Sequence, residues 1–208
     1  MNFDSIIFDL DGTLWDSAEG ICGTWQEVLD RYRELNNIKI TVDALHSCMG
    51  LPLDEIGKRL LPGVSPDVQK KLMKECCDYE NIYLSKHGGI LFPNLKETLE
   101  YLSGKYKLFI VSNCQEGYIE SFFEYHKTGK YFSDTECNGA TGLSKGENNR
   151  LIIKRNNLKN AVYVGDTAGD LQSARDAGIP FIYAEYGFGE VSDYDYVIKK
   201  FSDLSCIL

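Results

Sequence analysis

From Pro93 onward, short apolar runs and longer amphipathic ones take turns, and that alternation admits few folds. The spacing predicts a helix over Asn94–Leu102, a strand over Lys107–Val111, a helix near Glu116–His126 and a weak strand near Tyr131–Cys137. A helix over Glu147–Asn156, a strand over Ala161–Val164, a helix over Ala168–Ala177 and a strand over Phe181–Tyr183 come next, with a final strand near Tyr194–Val197. Strands joined through helices run parallel, because a parallel crossover has to travel back the length of the sheet and a helix does so compactly. The expected fold class is therefore α/β, a doubly wound parallel sheet covered by helices on both faces. One more strand, Phe3–Asp9, carries the unbroken run Ile6, Ile7, Phe8 expected of a strand buried on both sides.

Between that strand and the next lies a stretch with helical signals alone. Ser17 can cap a helix reaching to about Asn36, Thr41 a shorter one from Val42, Pro52 begins a third, and Ser65 with Pro66 a long fourth. His87, Gly88 and Gly89 then stop the helix. Residues 16–86 are expected to form an inserted all-helical unit, with residues 1–15 and 87–208 forming the α/β core. A chain of 208 residues has room for one good core and a smaller unit beside it.

Charge narrows the partners. Lys and Arg number 22 against 31 Asp and Glu, a net charge of −9, and no basic cluster interrupts the acidic balance. Such a surface repels nucleic acid and anionic membranes, so neither is an expected partner. A phosphorylated substrate would be repelled too, unless a local cation reversed the field. The N-terminus MNFDSIIFDLDGT has no basic leader, and acids break its apolar stretch early, so the expected location is cytoplasmic. Seven Cys with no paired spacing are expected to be reduced thiols.

Chemistry-bearing side chains collect at the ends of the expected strands. Asp9 and Asp11 follow the first, Ser112 and Asn113 the second, and Asp166 and Asp170 the strand ending at Val164. With side chains alternating along an extended segment, Asp9 and Asp11 point to one region and Leu10 away. Carboxylates that close do not both ionise freely: one takes a proton or a cation sits between them. An ionised carboxylate can attack phosphorus, and a protonated neighbour can donate to the leaving oxygen. Gly12 would let the backbone approach a phosphate, and Thr13 can orient the second carboxylate. In GDTAGD, Asp166 at a strand end and Asp170 in a first helical turn form an oxygen-only set that suits Mg²⁺. Each piece also has a plainer reading: acids and glycine in a tight turn, an acid at a helix N-terminus, a strand-end serine, and Lys145 as a solvated surface lysine ahead of a helix.

Taken in order, FDLDGT, VSN, Lys145 and GDTAGD resemble the four motifs of the haloacid dehalogenase superfamily of phosphatases, over essentially the full chain. The resemblance implies a Rossmann-like core in which Asp9 is the nucleophile that forms an aspartyl-phosphate, and Asp11 the general acid and then base. It implies Ser112 and Lys145 as holders of the phosphoryl oxygens, with Gly12, Thr13 and Asn113 beside them. Mg²⁺ would be the cofactor, on Asp9, the main chain of Asp11, Asp166 and, directly or through water, Asp170. The substrate would be a small phosphorylated metabolite, similar to phosphoglycolate or a sugar phosphate. The insertion stands where the phosphoglycolate phosphatase and β-phosphoglucomutase-like branch places a helical cap, with hinges expected near Leu14–Ser17 and Lys86–Pro93 and substrate contacts from the loop His46–Leu53. One departure is that Gly146, Glu147 and Asn148 follow the lysine where that branch frequently has proline. The alternatives are a phosphomutase with the same motifs and a phosphoacceptor module that does not turn over. Haloalkanoate dehalogenation is disfavoured, since that branch lacks an acid at the position of Asp11.

His46, His87 and His126 share no ligand spacing and are expected at the surface or at helix ends. Tyr183, Tyr186, Tyr194 and Tyr196 are expected at half-buried strand positions, and Trp15 and Trp25 packed against the first helix of the insertion.

Overall fold

The computed structural model describes residues 3–35 and 37–208. In chain order its elements begin with β1 (Ser5–Phe8), β2 (Trp15–Asp16), α1 (Ala18–Leu29), α2 (Val42–His46), α3 (Leu53–Leu60), α4 (Pro66–His87) and β3 (Ile90–Leu91). They continue with α5 (Leu95–Ser103), β4 (Lys107–Ser112), α6 (Tyr118–His126), β5 (Phe132–Cys137), α7 (Asn138–Thr141) and α8 (Lys145–Arg155). The chain ends with β6 (Ala161–Gly165), α9 (Ala168–Ala177), β7 (Phe181–Ala184), β8 (Tyr196–Ile198) and α10 (Leu204–Ile207).

Six strands make one sheet in the order β5-β4-β1-β6-β7-β8, every neighbouring pair parallel. Alternation along the strands explains why both faces are covered. Ile6, Phe8, Leu108, Ile110, Val162 and Val164 enter one core cluster, while Ile7, Phe109, Val111 and Tyr163 enter the other. The first cluster takes in Leu95, Leu99 and Leu102 of α5 and Phe122 of α6; the second takes in Ile152 of α8 and Ala174 of α9. The chain runs from β1 out to β4 and β5 on one side, then returns past β1 to β6 on the other, and that reversal opens a crevice at the carboxyl edge. Phe8 is level with Ile110 and Val164, so the residues just past these three strands arrive at the same edge.

Residues 18–87 contribute helices α1 to α4. Their apolar faces, including Ile21, Trp25, Val28, Leu72 and Leu84, are continuous with the first core cluster. The two connections to the insertion pair with each other: β2 and β3 form an antiparallel ladder, Trp15 opposite Leu91 and Asp16 opposite Ile90. Two-residue strands have no periodicity to read, so this ladder is absent from the sequence expectation. Gly89 is required there, since a Cβ would stand 2.7 Å from the Asp16 carbonyl oxygen.

Several expectations need correction. Helix α1 closes at Leu29, and the chain tightens through bonds from Tyr32 N–H to Leu29 O (2.9 Å) and Leu35 N–H to Tyr32 O (2.9 Å). Between Asp30 and Leu35 only Leu35 is buried, so no apolar face sustains a longer helix; the expected end at Asn36 lies outside the described residues. Ser17 does not cap α1, for the Ala18 N–H is accepted by the Asp16 carboxylate at 3.0 Å. Helix α8 starts at Lys145 rather than near Glu147, set by a capping box in which Ser144 accepts the Glu147 N–H and Glu147 accepts the Ser144 N–H. The C-terminal turn and α10 are absent from the sequence expectation too; they bury Phe201 against Phe8, ring centroids 5.7 Å apart. Among the described residues no helix is long and apolar enough to cross a membrane.

Candidate active site

Three strand ends and one helix start meet in the crevice. Asp9 follows β1, its N–H bonded to the Val164 carbonyl at 2.9 Å, and its side chain is 1% exposed. Lys145, first residue of α8 and 4% exposed, donates through Nζ to Asp9 Oδ1 at 2.9 Å and to Asp170 Oδ1 at 2.7 Å. The solvated-lysine reading is thereby excluded. Gly146, at the position of the missing proline, lets α8 lie against α9, because a Cβ would come within 2.8 Å of Asp176 Cβ.

Asp170, fully buried, divides its two oxygens. Oδ2 accepts the Thr167 N–H (2.9 Å), the Thr167 hydroxyl (2.7 Å) and the Asp166 N–H (3.2 Å), completing the capping box of α9. Oδ1 meets Lys145 and stands 3.4 Å from the Tyr163 hydroxyl. The helix-capping role and the site role therefore coexist in one carboxylate.

Asp166 lies past the end of β6, held by the Phe188 N–H on Oδ2 at 2.7 Å. Glycines make its space: a Cβ on Gly12 would fall 2.2 Å from Asp166 Oδ2, and one on Gly187 2.3 Å from Asp166 Cβ. Gly12 has φ +77°, so the residue type is fixed by conformation and by contact together. Its bareness thus admits the Asp166 carboxylate. Thr13, expected to orient Asp11, instead has its hydroxyl 3.4 Å from Asp166 Oδ1.

Asp11 is oriented by two residues that sequence reasoning missed. The Tyr118 hydroxyl donates to Asp11 Oδ1 at 2.7 Å, and the Ser17 hydroxyl donates to the same oxygen at 2.9 Å. Asp9, Asp11 and Ser112 line one cavity, with Leu10 buried away from it, as strand alternation requires. Asn113 lines the cavity as well, and its amide donates to the Gly50 carbonyl at 2.9 Å, tying the sheet edge to the loop between α2 and α3. His46, at the end of α2 and so in one of the two places expected of it, sits beside that loop, stacked on Phe188 with centroids 4.3 Å apart and its Nε2 3.0 Å from Asp16.

The electrostatics follow from burial. Desolvation raises the Asp9 carboxyl to about 7, with the charge of Asp170 adding to it and Lys145 opposing. Desolvation also holds Asp166 well above the carboxylate range, helped by Asp170 and Asp9. Asp11 is raised by burial against the hydrogen bonds of Tyr118 and Ser17. Burial alone would pull the Lys145 ammonium down, but Asp170 and Asp9 outweigh it and the net shift is upward. Were all three carboxyls ionised, one lysine would leave negative charge in excess, which is why Asp9 and Asp166 hold protons unless a cation joins them. Oxygens of Asp9, Asp166 and Asp170 all lie within 4.8 Å of one another, and Asp9 Oδ2 is buried with no hydrogen-bond partner. An orphaned buried oxygen in an all-oxygen cluster fits a hard divalent cation.

Fold and site together define an α/β enzyme whose acid–lysine centre sits where a doubly wound sheet changes direction. Residues 6–184 match the haloacid dehalogenase-like hydrolase family, and the chain belongs to that family. Its relatives include the phosphoglycolate phosphatase of Salmonella typhimurium, 26% identical over 98% of this chain and 91% of its own length, and that of Aliivibrio fischeri, 29% identical over 98% and 95%. A haloacid dehalogenase-like hydrolase from Bacteroides fragilis superposes with a TM-score of 0.84 at 26% identity, covering 98% of this chain and all of its own. At 23% identity, a haloacid dehalogenase-like family protein of Streptococcus pneumoniae shares the fold with a TM-score of 0.84 over 99% and 98%.

Proposed function

We propose that this chain is a Mg²⁺-dependent phosphatase of small phosphorylated metabolites, working through an aspartyl-phosphate on Asp9. The observation that carries the reading is Asp9 itself: one oxygen is fixed by Lys145, while the other is buried, unpartnered and beside a cavity shared with Asp11. In this reading Asp9 attacks phosphorus as the bond to the leaving oxygen breaks, and the proton of the Asp11 carboxyl passes to that oxygen. Asp11, then ionised, takes a proton from the water that hydrolyses the phosphoaspartate, which returns Asp9 and frees phosphate. Its raised affinity for protons suits the first half of that cycle, and the Tyr118 and Ser17 bonds on Oδ1 leave Oδ2 for the proton. Lys145 holds Asp9 in place and balances its charge, while Ser112 contacts the phosphoryl group.

The residues that would hold Mg²⁺ are Asp9, Asp166 and the main-chain carbonyl of Asp11. Asp170 would bind it directly or through water, with its Oδ1 also bonded to Lys145 and its Oδ2 to Thr167. When bound, the ion would neutralise charge on the phosphoryl oxygens. Residues 16–86 are read as a cap, with the β2·β3 ladder as its neck and the bond from Asn113 to Gly50 as a closing contact. The relatives named phosphoglycolate phosphatase support phosphomonoester chemistry for this chain.

A screen of phosphorylated metabolites for free phosphate in Mg²⁺, with Asp9→Asn as the blank, tests the reading. The substitution should lower turnover by at least about 10³-fold and leave the protein folded. Wild-type-like turnover in Asp9→Asn would refute the assigned nucleophile, and isomerisation without free phosphate would make the chain a mutase.

A further inference from the structure

The wall of the cavity facing Asp9 and Asp11 is not explained by phosphoryl chemistry. Glu80, from α4 and 2% exposed, accepts the indole N–H of Trp25 on Oε2 and the Gln115 amide on Oε1. Gln115 is itself fixed by a second bond, to Asn81 Oδ1 at 3.0 Å. Trp25, Glu80 and Gln115 all line the cavity, and the rest of the insertion's contribution is mostly apolar: Ile21, Leu45, Met49, Leu51, Leu53 and Ile56. Among the described residues lining it there is no lysine, arginine or histidine.

The cavity is small, about 50 Å³, and its wall is mostly apolar, so a charge on the leaving group would be poorly solvated there unless matched by protein. A leaving group ending in a carboxylate would find no cation, an apolar wall and the carboxyl of Glu80, which is a costly way to bury an anion. A hydroxyl in the same place can give its proton to a Glu80 oxygen, and it needs no counter-charge.

We propose that Glu80, positioned by Trp25 and Gln115, is a specificity residue that selects phosphomonoesters whose leaving group is uncharged and carries a hydroxyl, and disfavours those ending in a carboxylate. The inference rests on the phosphatase reading above, and it sets this chain apart from the activity that its relatives' names describe. Phosphoglycolate, with its carboxylate, is then a poor substrate here.

Matched pairs of equal length test it: hydroxyethyl phosphate against phosphoglycolate, and glycerol phosphate against phosphoglycerate. The hydroxyl member of at least one pair should have the higher kcat/KM by at least about tenfold. Glu80→Gln should narrow that ratio, mainly through KM, while p-nitrophenyl phosphate is still hydrolysed. A wild type that prefers the carboxylate members, or a ratio that Glu80→Gln leaves unchanged, overturns the inference. Calorimetric titration of Asp9→Asn with the same pairs reads the discrimination without turnover. An enzyme that discriminates as stated in binding yet releases no phosphate from any compound would therefore sink the phosphatase reading alone.

Discussion

Lys145 decides most at the scale of the single residue. It brings one positive charge between two carboxylates that are 1% and 0% exposed, and its two bonds, 2.9 and 2.7 Å, span residues from opposite ends of the chain. Such a triad is not a reserve of stability, because desolvating the ions offsets their attraction. Removing one member is another matter, since the remaining charges are then buried without a partner. Lys145→Met keeps the length and the apolar stem and deletes the ammonium. Unfolding in urea with chelator present should show a loss of about 3 kcal/mol relative to wild type. Equal midpoints for the two proteins would mean that the carboxylates simply take up protons and that the lysine is not what holds Asp9.

Elements are legible in the sequence wherever the signal is local. The unbroken apolar run of β1, the bounds of α9 and the Thr41 cap of α2 come from residues within one turn or strand. The same holds for the strand-end placement of Asp9, Ser112 and Asp166. The start of α8 is also written locally, in the capping pair Ser144 and Glu147, although the helical pattern by itself points two residues later. Contact between distant elements is another matter. Tyr118 reaches Asp11 across 107 positions, Trp25 meets Glu80 across 55, and Phe188 meets Asp166 across 22. No periodicity encodes these pairs; the packing of α1 on α4, the approach of α6 to the segment after β1 and the return of the loop after β7 create them. That loop yields a prediction of its own, because Gly187 lies against Asp166 with no room for a Cβ. Gly187→Ala should push Asp166 aside while β7, fully buried, keeps its place. Titrating activity against Mg²⁺ should then show half-saturation raised by about tenfold or more. An unchanged Mg²⁺ dependence would place the ion away from Asp166.

For the whole molecule, the buried acids tie stability to both pH and metal. Asp9 is raised to about 7 and Glu80 to about 8, each above its ordinary value of 3.8 or 4.5. A group that holds its proton more tightly when folded contributes stability that is fully present below the unfolded pKa and is lost as pH rises through the folded one. His126 works in the opposite sense: only 6% exposed and lowered from 6.5 to about 4, chiefly by desolvation, it removes stability as pH falls between those values. Above its ordinary value His126 is neutral in both states and drops out, which leaves the acids alone in control. Without divalent cations, stability should therefore fall by on the order of 2 kcal/mol between about pH 6.5 and 8, several degrees in Tm for a chain of this size. Bound Mg²⁺ requires the site carboxylates ionised, so its stabilisation should grow over the same interval. Thermal unfolding with chelator and with saturating Mg²⁺ reads both slopes at once. A Tm gain from Mg²⁺ that is the same at both ends of the interval would mean that the ion does not bind where Asp9 titrates, whereas a widening gap that Glu80→Gln leaves intact would assign it to the Asp9 cluster.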